Sequence, residues 1–311
     1  MFIGRQLRVI SCLAALLCAL APHARVAAQS KRGEGKLEAK IRALVAASGA
    51  ETVGVAFRDL GSGREVMINP TVSFHAASTM KVPVMLEVYR QAREGRLKLD
   101  GAVPVKNEFK SIADGSAFSV SPADDSEQTL YKKIGGTETV RELLRLMITE
   151  SSNLATNIII ERVTATRVME LMRRMGARDL KVLRGVEDGK AFELGMNNTT
   201  TARDLALLLR AIAEGRAVSR EASREMTDIL LAQKFNEGIP AGVPAAARVA
   251  HKTGSITKIN HDAGIIFPPG RRKPYVLVVL VRGLAEEARA HKLIADISRA
   301  VYENVMQSRE Q

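Results

Sequence analysis

The sequence predicts an α/β fold, specifically an α+β sandwich: one antiparallel sheet flanked by helices, with an all-helical lobe inserted into it. Segments with strand patterns lie near both ends of the chain, at 52–68 and at 248–282. Helical patterns fill the space between them and also flank them. The economical arrangement is a sheet assembled from both chain ends. With 311 residues, of which 46% are hydrophobic, the chain can bury a sizeable core.

Each element is predicted from its own pattern. Apolar residues recur at helical spacing from 36 to 48, and Ser48-Gly49 ends that helix. An alternating strand and a glycine-containing turn then give a hairpin at 52–68. A helix is expected from Ser78 to Glu94, and residues 100–136 lack periodicity. The next helix, capped by Thr137 or Thr139, contains Leu143, Leu144 and Met147 and ends at Ser151-Ser152-Asn153. Further helices are expected at 154–163, 167–175, 200–214, 220–233 and 285–306, and strands at 248–253, 261–267 and 275–282.

The first 28 residues have the pattern of an export signal. Arg5 and Arg8 precede an apolar run at 9–21, and small residues at 26–28 suit a signal peptidase. The apolar run is shorter than the roughly 20 residues that span a membrane. We therefore expect a secreted or periplasmic protein without stable membrane insertion after cleavage. Both cysteines, Cys12 and Cys18, fall inside this signal.

The mature chain, residues 29–311, is expected to form one domain. Its sheet lobe would comprise about 36–77 and 245–311, and its helical lobe about 78–244. Without the signal, the chain has 43 basic and 34 acidic side chains, which gives a net charge of +9. The absence of tryptophan and of a dense basic run argues against nucleic-acid binding. No cofactor and no metal are expected, because the five histidines show no ligand spacing, and we expect a monomer.

A serine and a lysine three residues apart, Ser78-x-x-Lys81, lie at a predicted helix start. Positions i and i+3 share a helix face, so the Lys81 amine can reach the Ser78 hydroxyl and accept its proton. Alone this spacing is weak, since Ser255 and Lys258 repeat it. It gains weight from two further motifs later in the chain.

Those motifs are Ser151-Ser152-Asn153 and Lys252-Thr253-Gly254. A hydroxyl at Ser151 can pass a proton to the departing nitrogen of an amide. Asn153 carries both a donor and an acceptor, which suits it to orient Lys81 and to hold a substrate amide. Lys252 supplies positive charge opposite a substrate carboxylate, to which Thr253 can also donate a hydrogen bond.

The three motifs in this order resemble the signature of the penicillin-recognising serine hydrolases, the superfamily of β-lactamases and D-alanyl-D-alanine peptidases. Within it the chain looks most like the class A β-lactamases. The resemblance implies the β-lactamase/transpeptidase-like fold. It also implies an oxyanion hole formed by the backbone N–H groups of Ser78 and of Ser255 or its neighbour, next to Gly254.

The chain departs from the class A pattern at several positions. The second motif usually has aspartate where this chain has Ser152. The arginine that often grips the substrate carboxylate is replaced by Ala263, and Lys234 is considered as its substitute. The loop at 184–198 resembles the one that carries the deacylating glutamate. Glu187 and Glu193 compete for that role: Glu193 has the family's spacing to Asn197, but we favour Glu187, because Arg184 lies one helical turn before it and Asn157 is expected to anchor the loop.

The function expected from this resemblance is opening of β-lactam rings through an acyl-enzyme on Ser78. Two alternatives use the same motifs. One is a D-alanyl-D-alanine carboxypeptidase or amidase acting on peptidoglycan stem peptides. The other is a penicillin-binding sensor that is acylated and stays so.

Overall fold

The computed structural model describes residues 35–307, so the predicted export signal lies outside the described residues. The strands are β1 (Thr52–Asp59), β2 (Glu65–Ile68), β3 (Phe74–His75), β4 (Ala102–Pro104), β5 (Phe109–Lys110), β6 (Ala117–Phe118), β7 (Thr137–Thr139), β8 (Thr199–Thr200), β9 (Arg248–Ile256), β10 (Ile259–Phe267) and β11 (Tyr275–Arg282). The helices are α1 (35–48), α2 (Lys81–Arg93), α3 (Val140–Thr149), α4 (Asn153–Val163), α5 (Ala165–Met175), α6 (Gly189–Glu193), α7 (Ala202–Ala213), α8 (Arg220–Leu231) and α9 (Glu287–Gln307).

The central sheet has five antiparallel strands in the order β2-β1-β11-β10-β9. Strand β1, from the start of the described chain, pairs along its full length with β11, from Thr52 opposite Arg282 to Asp59 opposite Tyr275. Two strands from one end of the chain therefore join three from the other. The predicted fold class, an antiparallel sheet built from both ends and covered by helices, is confirmed.

Strand β11 is apolar on both faces because both faces of the sheet are covered. Leu277, Val279 and Val281 pack into a core that includes residues of α1 and α9. Val276, Val278 and Leu280 belong to the larger core shared with the inserted helices. The site described below lies on the second face. Among residues 35–307, no helix is both long and apolar enough to cross a membrane.

Several inserted helices start at a side-chain cap of the kind that the sequence predicts. The Thr139 hydroxyl accepts a hydrogen bond from Glu142 N, so Thr139, the last residue of β7, is the cap of α3, and Thr137 is not. The Ser152 hydroxyl accepts from Ala155 N and caps α4. The aperiodic segment at 100–136 contains only short strands and single 3₁₀ turns.

Replacing Leu277 by alanine tests the two-sided sheet core. Leu277 is fully buried in the central strand, so Leu277→Ala should lower the free energy of unfolding by about 2–5 kcal/mol. Leu194→Ala is the matched control, because that leucine is 68% exposed, and its effect should stay within about 0.5 kcal/mol. Urea unfolding of both variants measures the difference. Equal losses would show that β11 is not part of a close-packed core.

Candidate active site

Ser78 lies on a 3₁₀ turn, Ala77–Met80, that leads directly into α2. The residue before it, Ala77, has a φ of +44°, a conformation that L-residues rarely adopt. Strand β9 packs against this turn so closely that a Cβ at Gly254 would lie 3.0 Å from the amide nitrogens of Ser78 and Thr79. Only glycine lets the strand approach the serine in this way.

Lys81 is fully buried at the first position of α2. Its Nζ donates to Ser151 O at 2.6 Å, to Asn153 Oδ1 at 3.0 Å and to Ser151 Oγ at 3.2 Å. The sequence predicts contact with Ser78, but the hydrogen bonds of this amine to described residues go to Ser151 and Asn153. Lys81 is thus held in place by the second motif.

Ser151 lies between two lysines. Besides Lys81, Lys252 on β9 donates to Ser151 Oγ at 3.0 Å, and its second contact is Thr253 O at 2.9 Å. Ser151 itself has a φ of +58° in the connection between α3 and α4. The hydroxyl of this strained residue therefore links α2 to β9.

Burial lowers the pKa of both lysines. For Lys81 the pKa falls to about 7, with the nearby carboxylates of Asp125 and Glu187 opposing the shift. For Lys252 burial comes first and the positive charge of Lys81 second, and together they lower the pKa well below its ordinary value. A lysine with a pKa near 7 is neutral in a substantial fraction of molecules at neutral pH and can accept a proton.

Glu187 reaches the same cluster from the loop between Arg184 and Asn198. Asn153 Nδ2 donates to Glu187 Oε1 at 2.5 Å, and Ser121 N donates to Oε2 at 3.1 Å. Burial raises the pKa of Glu187 despite these two hydrogen bonds. Its φ of +60° marks a strained position. Asn153 therefore touches Lys81 with its oxygen and Glu187 with its nitrogen.

The loop is fixed near its start by Asn157 of α4. Asn157 Oδ1 accepts from Val186 N at 2.7 Å, and Nδ2 donates to Val186 O at 3.0 Å. A Cβ at Gly185 would lie 2.1 Å from Asn157 Oδ1, so this contact requires glycine there. The amide of α4 thereby sets the position of the residue just before Glu187.

Hydrogen bonds join the two ends of the loop to each other. Asn198 Oδ1 accepts from Leu183 N at 2.8 Å and from Arg184 N at 3.2 Å, while Nδ2 donates to Arg184 O at 3.0 Å. The Arg184 guanidinium donates to Met196 O at 2.9 Å. Glu193, the competing carboxylate, lies exposed at the end of α6. The geometry favours Glu187.

A cavity of about 240 Å³ is lined by residues of all three motifs, whereas Lys81, Lys252 and Glu187 do not line it. The predicted residues that line it are Ser78, Ser151, Asn153, Thr253, Gly254 and Ser255. The Ser255 hydroxyl lies 2.9 Å from Asn260 Oδ1 and 3.0 Å from Glu287 Oε1, contacts that hold the end of β9 in place. The three motifs therefore converge on one cleft.

Two residues considered for carboxylate binding are placed elsewhere. Ala263 is fully buried on β10, opposite Lys252. The ammonium of Lys234 lies 2.6 Å from Glu150, and its side chain is 63% exposed. Lys234 does not line the cleft. The structure thus gives no support for Lys234 as a substitute for the missing arginine.

Sequence reasoning missed two groups in the aperiodic segment. Ser121 supplies the backbone N–H that holds Glu187. Asp125 is 5% exposed, and one of its oxygens accepts hydrogen bonds from the backbone of Asn153 and Leu154. The sequence pointed to Asp125 only indirectly. A serine stands at position 152, where an aspartate is usual, so another residue has to supply the carboxylate.

A family model described as "Beta-lactamase enzyme family" matches residues 36–305, nearly all of the described chain. The chain belongs to this family. A curated relative, the β-lactamase of Streptomyces albus G, is 29% identical over 97% of this chain and 96% of its own length. The prediction of a penicillin-recognising serine hydrolase similar to class A β-lactamases is confirmed.

Two solved structures have the same fold over most of their length. An ancestral class A β-lactamase is 27% identical, with a TM-score of 0.74, and the match covers 86% of this chain and 99% of that one. A leucine-to-glutamate variant of PBP-A, solved as an acyl-enzyme complex with penicillin G, is 29% identical. Its TM-score is 0.75, and the match covers 88% of this chain and 97% of that one.

Removing the Asn157 amide tests how the Glu187 loop is held. In Asn157→Ala the Val186 N–H loses its acceptor, so hydrogen exchange at 185–188 should become at least about tenfold faster. Amide exchange followed by mass spectrometry measures this rate. Unchanged exchange at Val186 would show that other contacts fix the loop.

Asn107→Ala is the matched control. Asn107 makes the same pair of backbone hydrogen bonds, with Val120 N at 2.8 Å and Val120 O at 2.9 Å. That variant should speed exchange at Val120 and leave Val186 protected.

Proposed function

We propose that the chain is an exported serine β-lactamase that opens the β-lactam amide through an acyl-enzyme on Ser78. One observation carries the proposal: Asn153 joins Lys81, the base for acylation, to Glu187, the base for deacylation. Each half of a hydrolysis would therefore have its own proton acceptor within one hydrogen-bonded cluster. Export rests on the pattern of the first 28 residues.

Acylation would begin with Lys81 in its neutral form. Ser78 Oγ attacks the carbonyl carbon while Lys81 Nζ takes the hydroxyl proton. The developing oxyanion would be stabilised by backbone N–H groups of Ser78 and Ser255. The carbon–nitrogen bond then breaks, and the proton held by Lys81 reaches the ring nitrogen through Ser151 Oγ. A substrate carboxylate near Lys252 would favour the protonated form of this buried lysine, which would then supply positive charge there, with Thr253 donating a hydrogen bond.

Deacylation needs a water molecule and a base. Glu187 would take a proton from that water, which attacks the ester carbonyl and releases Ser78 Oγ, to which the proton returns. An acyl-serine in a pocket without such a base persists. The placement of Glu187 beside Asn153 therefore favours an enzyme that turns over, rather than a sensor that stays acylated. It also favours an enzyme that uses β-lactams efficiently as substrates, rather than a peptidase.

The relatives support the same conclusion. The family match and the β-lactamases among the similar proteins make a β-lactam the preferred substrate class. In the structure of the PBP-A variant, penicillin G is held as an acyl-enzyme. For the present chain, we take a β-lactam as the first substrate to test and a peptidoglycan stem peptide as the second.

Intact-protein mass spectrometry with benzylpenicillin tests the nucleophile. The wild type should show a transient gain of one intact penicillin, because opening the ring loses no atoms. Ser78→Ala should show none, since its side chain has no oxygen to attack with. The exposed Ser73, immediately before β3, gives the control Ser73→Ala, which should react as the wild type. An adduct of full yield in Ser78→Ala would overturn the assignment.

Replacing Glu187 by glutamine separates the two halves of the reaction. Glu187→Gln keeps the size of the side chain and one of its two acceptor oxygens but removes the base. Acylation should therefore stay within about tenfold while deacylation slows at least about 10²-fold. A stable adduct should accumulate. Glu193→Gln, which changes an exposed loop glutamate, should keep wild-type turnover of a chromogenic cephalosporin. If Glu193→Gln instead accumulates the adduct, the roles of the two glutamates are reversed.

A further inference from the structure

The second motif of this chain lacks the aspartate that is usual at its middle position, but a carboxylate is present there in space. Asp125, on the segment between β6 and β7, places Oδ2 2.9 Å from Asn153 N, 2.9 Å from Leu154 N and 3.3 Å from Ser152 Oγ. These three donors belong to the first turn of α4 and the residue that caps it. The carboxylate therefore sits at the point where Ser151 and Asn153 are presented to the cleft.

Asp125 is in turn held by its own segment. Tyr131 Oη donates to Oδ2 at 2.9 Å, and Glu127 N donates to Oδ1 at 3.1 Å. Four donors thus converge on a single oxygen that is almost completely buried. A negatively charged acceptor makes such hydrogen bonds roughly twice as strong as a neutral one does. This buried carboxylate is therefore an integral part of the fold.

The side chain of Ser152 completes the arrangement. Its hydroxyl donates to Asp125 Oδ2 and accepts from Ala155 N at 3.2 Å. An aspartate at 152 would place a second carboxylate against the first, and two like charges at this distance repel. The serine at position 152 and the aspartate at position 125 are therefore compatible with each other, whereas aspartates at both positions are not.

We propose that Asp125 is a positioning residue for the reaction, and that it replaces from a separate segment the carboxylate missing from position 152. It fixes the backbone of Asn153, and through Asn153 the amine of Lys81 and the carboxylate of Glu187. The proposal rests on the proposed function for its catalytic consequence. Its structural part, the mutual dependence of positions 125 and 152, does not.

The negative charge of Asp125 acts on both bases. The charged groups around Lys81 are Asp125, Glu187 and the ammonium of Lys252. Those that act on Glu187 are Asp125 and Asp124. The carboxylate of Asp125 raises the pKa of Lys81 and of Glu187. Each base works in its deprotonated form, so losing this charge moves the acidic limb of each step to lower pH.

The test is a double-mutant cycle of Asp125→Asn, Ser152→Asp and the two together. Asp125→Asn weakens the hold on Asn153, and Ser152→Asp opposes two carboxylates, so each should slow acylation by penicillin at least about tenfold. In the double variant the carboxylate introduced at position 152 supplies the charge, and the amide introduced at position 125 can donate to it. Acylation should recover to within about threefold of the wild type.

Two controls separate charge from size. Ser152→Asn has the size of Ser152→Asp without the charge, and its amide can donate to Asp125, so it should slow acylation less than Ser152→Asp does. Asp100→Asn removes a carboxylate from an exposed ion pair with Arg141, and it should leave the acylation rate and its pH profile unchanged.

The pH profile and the unfolding temperature decide the outcome. The acidic limb of acylation should move to lower pH in Asp125→Asn and return in the double variant, which a merely structural loss would not produce. The midpoint of thermal unfolding should fall in both single variants and recover in the double variant. Additive losses in the double variant, or a wild-type profile in Asp125→Asn, would overturn the proposal. A wild type that never forms the adduct would refute the proposed function, while the unfolding cycle would still decide whether positions 125 and 152 depend on each other.

Discussion

The site depends on one ammonium group placed where water cannot reach it. Lys81 is fully buried, and three oxygens from the second motif surround its nitrogen. Burial disfavours the charged form, while the neighbouring carboxylates favour it, and the balance leaves a pKa of about 7. An amine with this pKa can take a proton from a serine and pass it on at neutral pH. The rest of the cleft is arranged to hold this amine in place.

The elements that hold the amine come from distant parts of the sequence. Helix α2 carries Lys81, the start of α4 presents Asn153, and β9 brings Lys252 to the Ser151 hydroxyl. The sheet built from both chain ends is what sets β9 beside the turn of Ser78, with Gly254 allowing the close approach. The fold thus matters to the chemistry through this contact between a strand edge and a helix start.

Much of this could be predicted from the sequence, because periodic elements and short motifs are local signals. Strand β11 was predicted with the bounds that the structure shows, and helix α9 within two residues at its start and one at its end. Glu187 was favoured over Glu193 because of its place after Arg184 and because Asn157 was expected to anchor the loop, and Asn157 does hold Val186. The contacts of Asn198 and of Asp125 were missed, because side-chain to backbone contacts leave no pattern in the sequence. The partners of Asp125 are 28 and 29 residues away. The division into lobes, the export and the monomeric state stay predictions.

The most direct test of this account is the pKa of Lys81 itself. Lysines labelled with ¹³C at Cε can be titrated by NMR in the mature protein, and the Lys81 signal is identified by its loss in Lys81→Ala. The account predicts a midpoint near 7, where burial has lowered the pKa from its ordinary value of 10.5. A midpoint above about 9, close to that of a lysine in water, would contradict it, because a permanently charged Lys81 could not accept the proton of Ser78.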